Sequence, residues 1–229
     1  MTDIKLLRKD FKDPKLLDLA LTHRSWVNEH KGIRTSNERL EFLGDAILEY
    51  VVSKELYTKF PEQEEGYLTA LRANLVNTVS LAELAKKLSI GDAIFLSKGE
   101  EDGGGRSNTS LLADTVEAII GSIYIDRGID ASEEFIQKNL LTNLEERASQ
   151  PLKDAKSRLQ EYVQAKGLSA PKYRVAEESG PDHDKKFVIE VLVGGKAWAE
   201  GEGKSKSTAE QDAASKALAK KEKAAKTKA

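Results

Sequence analysis

Apolar residues recur at helical spacing in six runs of the first 150 positions: residues 16–26, 40–56, 67–75, 79–88, 111–125 and 135–144. A repeat near 3.6 residues predicts helices with one buried face. Strand-like alternation is scarce here, so this half is predicted to be all-α. Three starts carry capping residues, Asp13-Pro14 before Leu16, Ser36 or Asn37 before Leu40, and Thr109 or Ser110 before Leu111. Side chains of these types satisfy the free N–H groups of a first helical turn, and proline suits its first position. Periodicity fades across residues 145–151, where Pro151 blocks a continuing helix.

Beyond Pro151 the period changes. Residues 154–166 place Leu159, Tyr162 and Val163 on one side of a helix that Gly167 ends. Strand-like runs follow at residues 173–178, 186–193 and 197–201, separated by Gly180-Pro181-Asp182-His183-Asp184 and by Gly194-Gly195, both strong turn signals. A last helix is predicted from Thr208 to about Lys221. The expected architecture is an all-α domain over residues 1–147, a linker over 148–153, a small α+β domain of order α-β-β-β-α over 154–222, and a flexible Lys/Ala-rich tail over 223–229.

Composition narrows the class. With 39% hydrophobic and 32% charged residues, the chain is neither fibrous nor wholly disordered. The absence of cysteine removes disulfide frameworks, thiolate zinc sites and cysteine nucleophiles together. His23, His30 and His183 are too dispersed to suggest a histidine-rich zinc site. Neither a signal-peptide core nor an uncharged run approaching ~18 residues occurs, so a soluble cytoplasmic protein without a membrane partner is expected. The net charge of -2 conceals an asymmetry. Residues 151–229 carry 17 Lys and Arg against 12 Asp and Glu, net +5, and the first 150 carry net -7. A basic module attracting a polyanion is one reading, and ordinary charge scatter is the other.

The candidate chemistry lies in two helices. At about 100° per residue, Glu38, Glu41, Asp45 and Glu49 fall within about 80° of each other, yet Phe42 and Leu48 border this acidic stripe. A helix apolar almost all round belongs in a core or an interface, so the stripe is expected to line a cleft. The run from Leu111 to Gly121 is apolar except for Asp114 and Glu117, which share a face at i, i+3. Unpaired carboxylates held together in apolar surroundings repel and resist ionisation. A hard divalent cation, Mg²⁺ or Mn²⁺, would stabilise them, and salt bridges to Arg or Lys are the structural alternative. Neither a phosphate-binding loop motif nor a nucleophile-elbow motif occurs. The run Gly103-Gly104-Gly105-Arg106 before the second acidic helix could present N–H groups and Arg106 to a phosphate, or could simply be a mobile loop.

The nine residues Glu38-Arg39-Leu40-Glu41-Phe42-Leu43-Gly44-Asp45-Ala46 resemble the signature of the ribonuclease III family. Thr22-His23-Arg24-Ser25, Glu64-Glu65-Gly66 with the stretch from Leu71 to Val76, and the run from Leu112 to Gly121 support that resemblance. The C-terminal α-β-β-β-α unit resembles a double-stranded RNA-binding domain, and together the two likenesses cover nearly the whole chain. The resemblance implies a Mg²⁺-dependent endoribonuclease acting on double-stranded RNA, with Mn²⁺ as a substitute. It implies 5′-phosphate and 3′-hydroxyl ends with a short 3′ overhang, and roles in rRNA, mRNA and tRNA processing.

The resemblance also implies metal ligation by Glu41, Asp45, Asp114 and Glu117, with Glu117 the most critical. Glu38 and Glu65 would be an outer acidic pair, and Phe42 the knob of a homodimer unless it packs within its own subunit. For RNA binding it implies Gln160 and Glu161 on the first helix, His183 at a loop tip, and Lys204, Ser205 and Lys206 at a helix start. Ser207 stands where the family commonly has another Lys or Arg, which lowers the expected phosphate affinity. A non-cleaving RNA-binding regulator on the same scaffold is the rival; a dead relative would be expected to lose some of the six carboxylates, and all are present.

Overall fold

The computed structural model describes residues 4–150, 152, 154–181 and 185–226, with side chains described as far as Lys221. The chain forms two compact units, residues 1–150 and 151–229. The first contains α1 (Ile4–Leu7), α2 (Pro14–Ala20), α3 (Arg24–Glu29), α4 (Glu38–Lys59), α5 (Glu65–Leu75) and α6 (Thr78–Lys87). It continues through α7 (Lys98–Asp102), α8 (Thr109–Arg127), α9 (Ile129–Leu140) and α10 (Leu144–Ser149). The second contains α11 (Ala155–Ala165), β1 (Lys172–Ser179), β2 (Lys186–Val193), β3 (Lys196–Gly203) and α12 (Lys206–Lys226).

The first unit is organised around α8, against which α2, α4, α6 and α9 pack. Leu112, Val116, Ile119, Ile120 and Ile123 of α8 are almost wholly buried. Each such side chain contributes about 1.5–3 kcal/mol through loss of apolar surface from water. The α4–α8 crossing is very close: a Cβ on Gly44 would lie 1.8 Å from the Glu117 carbonyl oxygen, and one on Gly121 would lie 2.2 Å from that of Leu40. Only two residues without side chains permit such an approach.

Local signals differ from expectation in informative ways. The run over residues 16–26 is two helices, because α2 stops at Ala20 and the fully buried Thr22 forms a parallel bridge with Phe95. His23 then caps α3, accepting from the Ser25 N–H. Asp13 caps α2 as its sequence implies. Asn37 occupies the cap position of α4, yet its side-chain amide donates to the Ala20 carbonyl instead. The cap of α8 is Asn108, one residue before the expected Thr109, its Oδ1 accepting from Leu111 N at 3.1 Å. Residues 144–149 form the short helix α10 where the apolar periodicity fades.

In the second unit the three strands form an antiparallel sheet in the order β1-β2-β3. Strand β2 alternates strictly, with Phe187, Ile189, Val191 and Val193 facing inward. Leu159 and Val163 of α11 meet Val191, Val193, Ala213, Ala214, Ala217 and Leu218 in one core. The alanines let α12 lie close to the sheet, where a Cβ on Gly201 would come within 2.1 Å of the Ala213 nitrogen. The last helix begins two residues earlier than expected: Ser205 Oγ accepts from Thr208 N, and Thr208 Oγ1 accepts from Ser205 N. That reciprocal pair caps the earlier start.

Candidate active site

Crossing at Gly44 and Gly121 places the acidic stripe of α4 against the two carboxylates of α8. Glu41, Asp114 and Glu117 each offer a carboxylate oxygen, and these oxygens all lie within 4.8 Å of one another. The three side chains are only partly exposed, so their mutual repulsion is incompletely screened by water. Asp45 is one turn along α4 from Glu41. It is more exposed and outside that group of three, although its charge acts on both Glu41 and Glu117.

The electrostatics follow from this geometry. Burial pushes the Glu117 carboxyl up to about 7, with further elevation from Asp45, Asp114, Glu41 and Glu49. Glu41 is raised first by burial, then by Asp114, Glu38 and Asp45. Asp114 is raised by burial, with His23 opposing the rise. Among the described residues, no lysine or arginine pairs with Glu41, Asp45, Asp114 or Glu117, so the salt-bridge alternative is not realised at the cluster. Cationic partners serve its margins: Arg72 Nε is 2.7 Å from Glu49, and Arg24 Nη1 is 3.1 Å from Glu38. A set of clustered oxygen donors without sulfur or imidazole fits a hard divalent cation.

Residues 13–144 match the family described as Ribonuclease-III-like, and residues 155–221 match the double-stranded RNA binding motif. The chain belongs to the ribonuclease III family. It is 48% identical over 205 residues to Ribonuclease 3 of Geobacillus kaustophilus, covering 89% of this chain and 83% of the relative. It is 47% identical over 205 residues to Ribonuclease 3 of Enterococcus faecalis, covering 89% of each. A solved nuclease domain of ribonuclease III from Campylobacter jejuni, described for structural flexibility in a region involved in dimer formation, shares 43% identity at TM-score 0.54. That likeness covers 61% of this chain and 99% of the solved one. A ribonuclease III nuclease unit joined to a duplex-RNA-binding unit makes this chain a double-strand-specific endoribonuclease.

The other expected site residues are distributed around that centre. Glu38 is exposed, held by Arg24 and by Ser36 Oγ at 2.6 Å. Glu65 opens α5, away from the grouped oxygens, and accepts from Thr69 Oγ1 at 2.9 Å. It borders a cavity of about 530 Å³ between α4 and α5, lined also by Leu56, Tyr57, Phe60 and Leu68. Phe42 is 81% exposed, so it does not pack within its own chain. Arg106 corrects the phosphate-loop reading. Its Nη1 donates to the carbonyls of Gly91, Asp92 and Ile94 at 2.9, 3.2 and 3.1 Å, and its Nε donates to Glu101. The guanidinium ties the loop down and is not presented to a ligand.

In the RNA-binding unit, Gln160 and Glu161 lie on the exposed side of α11, opposite Leu159 and Val163. Lys204, Ser205 and Lys206 are exposed at the start of α12. The Ser205 hydroxyl is engaged with Thr208, and the Lys206 ammonium lies 5.7 Å from the Phe187 ring centroid. A cleft of about 520 Å³ joins this start to the β1–β2 turn, lined by Gly180, Pro181, Lys186 and Lys204 among others. His183 lies outside the described residues. Among the described residues, no helix is long and apolar enough to cross a membrane.

Sequence reasoning missed Gly121 as a determinant of the site and the structural role of Arg106. For Gly121 a signal existed, a glycine at i+4 from Glu117 in an otherwise β-branched and apolar helix. For Arg106 the partners are main-chain carbonyls, which leave no trace in residue identity.

Proposed function

We propose that this ribonuclease III is a Mg²⁺-dependent hydrolase of duplex RNA whose metal is held by Glu41, Asp114 and Glu117, with Asp45 joining from the margin. The observation that carries the proposal is the trio of carboxylates gathered between α4 and α8, with no lysine or arginine paired to it among the described residues. A bound Mg²⁺ would supply Lewis acidity and make a nearby water easier to deprotonate. Glu117, whose carboxyl is raised to about 7 first by burial and then by its acidic neighbours, would hold the ion as the carboxylate, while Glu38 and Glu65 extend the negative rim. The products are 5′-phosphate and 3′-hydroxyl ends with a short 3′ overhang. Substrates are stem-forming rRNA, mRNA and tRNA precursors in the cytoplasm.

The working unit is a homodimer. Phe42 is a large apolar side chain left in water, and the α4–α5 cavity offers apolar walls on the same long helix. Insertion of Phe42 into that cavity of the partner copy would remove both from solvent. Duplex RNA is bound by shape through Gln160, Glu161 and the His183 loop in the minor groove, with Lys204, Ser205 and Lys206 at the phosphates.

Labelled duplex RNA incubated with and without Mg²⁺ tests the reading. Cutting is expected only with the metal, and Glu117→Gln should bind the duplex without cutting it. Equal cleavage in excess EDTA would overturn the metal assignment, and a wild-type chain that binds but never cuts would favour the regulator.

A further inference from the structure

Three stretches of the RNA-binding unit, residues 164–173, 192–198 and 216–221, contain six lysines and not one aspartate or glutamate. The fold brings them to one end. Helix α11 finishes at Ala165, β1 starts at Lys172, and β2 turns into β3 at Gly194-Gly195. Ser169 Oγ accepts from Gly194 N at 3.2 Å, which ties the α11–β1 connection to that turn. Helix α12 runs back along β3: Gly203 meets Thr208, Gly201 meets Ala213, and Trp198 meets Lys221. Lys220 and Lys221 therefore join Lys166, Lys172 and Lys196, about 22 Å along the helix from Lys206 at about 1.5 Å per residue.

The charges at this end are held in place without being neutralised. Strand pairing passes from Val191–Ala199 to Leu192–Ala197 and skips Trp198, and such a bulge re-aims a side chain. Here the indole packs against the core that contains Leu159, Val163 and Leu218, with the Tyr162 ring edge-on at 6.4 Å. Lys221 Nζ lies 4.0 Å from the Trp198 ring centroid, and Lys220 Nζ lies 3.5 Å from the Trp198 carbonyl oxygen. Lys166 Nζ lies 5.0 Å from the Tyr162 ring centroid. An aromatic ring attracts an ammonium through its quadrupole but carries no net charge. Lys216 pairs with Asp212 at 2.7 Å; among the described residues, no carboxylate pairs with the other five lysines. Lys166, Lys172, Lys196 and Lys220 are exposed. Like charges gathered without counter-charge repel one another and attract a polyanion. Restraint of three of them by rings and a carbonyl lowers the ordering cost of making that contact.

We propose that this end of the unit is a second surface for RNA phosphates, formed by Lys166, Lys172, Lys196, Lys220 and Lys221. It takes a second helical arm while the start of α12 holds the first. The inference rests on duplex RNA as the partner of the unit and adds a surface to it. Phosphate charge is the feature recognised, so the second arm belongs either to the same RNA or to another molecule.

Binding is measured on the full chain in excess EDTA at several salt concentrations, with two RNAs. One is a duplex of about 16 base pairs, the span of one such domain, and the other is the same duplex bearing a second arm. Wild type should show a steeper slope of log affinity against log salt on the two-armed RNA. Lys172→Gln/Lys196→Gln and Lys220→Gln/Lys221→Gln should each reduce that slope by about 1 per lysine, with the slope on the short duplex retained. Lys172 and Lys196 have no ring contact among the described residues, so their loss does not disturb Trp198 packing. Lys220→Arg/Lys221→Arg should restore the slope. Supplying the second arm as a separate duplex distinguishes the two sources. A second equivalent bound per chain, lost in the glutamine variants, assigns the surface to two molecules, and a single equivalent assigns it to arms of one RNA. Equal slopes for wild type on both RNAs, or glutamine variants that match wild type on the two-armed RNA, would overturn the second surface. Lys204→Gln/Lys206→Gln should weaken binding to both RNAs. Unchanged binding there would overturn the reading of the α12 start, while this inference still stands or falls on the two-armed RNA.

Discussion

Gly44 sits directly against the main chain of Glu117, so close that a Cβ would lie 1.8 Å from its carbonyl oxygen. The neighbours of this glycine are Asp45 and, three residues earlier, Glu41. One contact thus sets both the separation of α4 from α8 and the spacing of the carboxylates they carry. Gly44→Ala forces backbone apart from backbone, with no flexible side chain to yield. The expected cost is about 1–3 kcal/mol or more, the range for overpacking, read as a lower denaturant midpoint. Gly121→Ala should behave alike, since its Cβ would meet the Leu40 carbonyl at 2.2 Å. Both variants should also lose cleavage, because the trio is no longer within reach of a single ion.

Much of this was legible because the determinants were local and periodic. The acidic stripe of α4 and the pair on α8 declare themselves at helical spacing, and β2 alternates over its whole length. What escaped depends on partners distant in the chain. Thr22 breaks a plausible helix because Phe95, far away in sequence, offers a bridge. Arg106 finds three carbonyls, and carbonyls belong to every residue. Asp45, equal to Glu41 in the sequence pattern, stands outside the closest group, a distinction that helical spacing alone does not make.

Glu117 makes stability depend on pH when metal is absent. Its carboxyl is raised from 4.5 to about 7 in the folded chain. The folded state therefore holds this proton more tightly than the unfolded state, and the associated stability is complete below about pH 4.5. It declines as pH climbs to about 7 and is gone above that. Allowing for solvent screening at this half-exposed group, the loss is about 1–2 kcal/mol. Metal-free wild type should accordingly lose stability between pH 5 and pH 7 in chemical denaturation. Glu117→Gln should lack that portion of the slope, and a slope identical to wild type would remove Glu117 as its source.

Phe42 is so exposed that truncation leaves few contacts within the chain to lose. Phe42→Ala should change the stability of an isolated subunit by no more than about 0.5 kcal/mol, as for other surface sites. Under the dimer reading it should shift sedimentation toward the monomer at concentrations where wild type is dimeric. Tyr57→Ala, altering the wall of the α4–α5 cavity, should act in the same direction. Unaltered sedimentation in both would remove this contact from the assembly.

Lys204 and Lys206 are expected to act through phosphate charge. Each lysine removed should weaken duplex binding similarly across sequences, and should reduce the slope of log affinity against log salt by about 1. Measurements at several salt concentrations on one duplex distinguish this from a folding defect, which would lower the bound fraction without changing the slope. Ser207→Lys should steepen the slope by a similar amount, since it adds a cation at the start of α12.

Arg106 supplies the sharpest contrast between a ligand-binding and a structural cation. Its guanidinium is bonded to the carbonyls of Gly91, Asp92 and Ile94 and to the Glu101 carboxylate, and the Glu101 carboxyl is held below its ordinary range by that bond. These carbonyls come from the segment that leads into Phe95 and Ser97, the partners of Thr22 and of Ser25. Arg106→Ala leaves several main-chain acceptors short of a donor, a loss of about 1–3 kcal/mol, seen as a lower Tm. Arg106→Lys should recover only part of it, because an ammonium cannot reproduce the planar fork that reaches both the carbonyls and Glu101. Neither substitution should alter the salt slope of duplex binding, since the charge is already engaged within the chain. A reduced slope at unchanged Tm would instead return Arg106 to the phosphate-binding role that its glycine-rich setting first suggested.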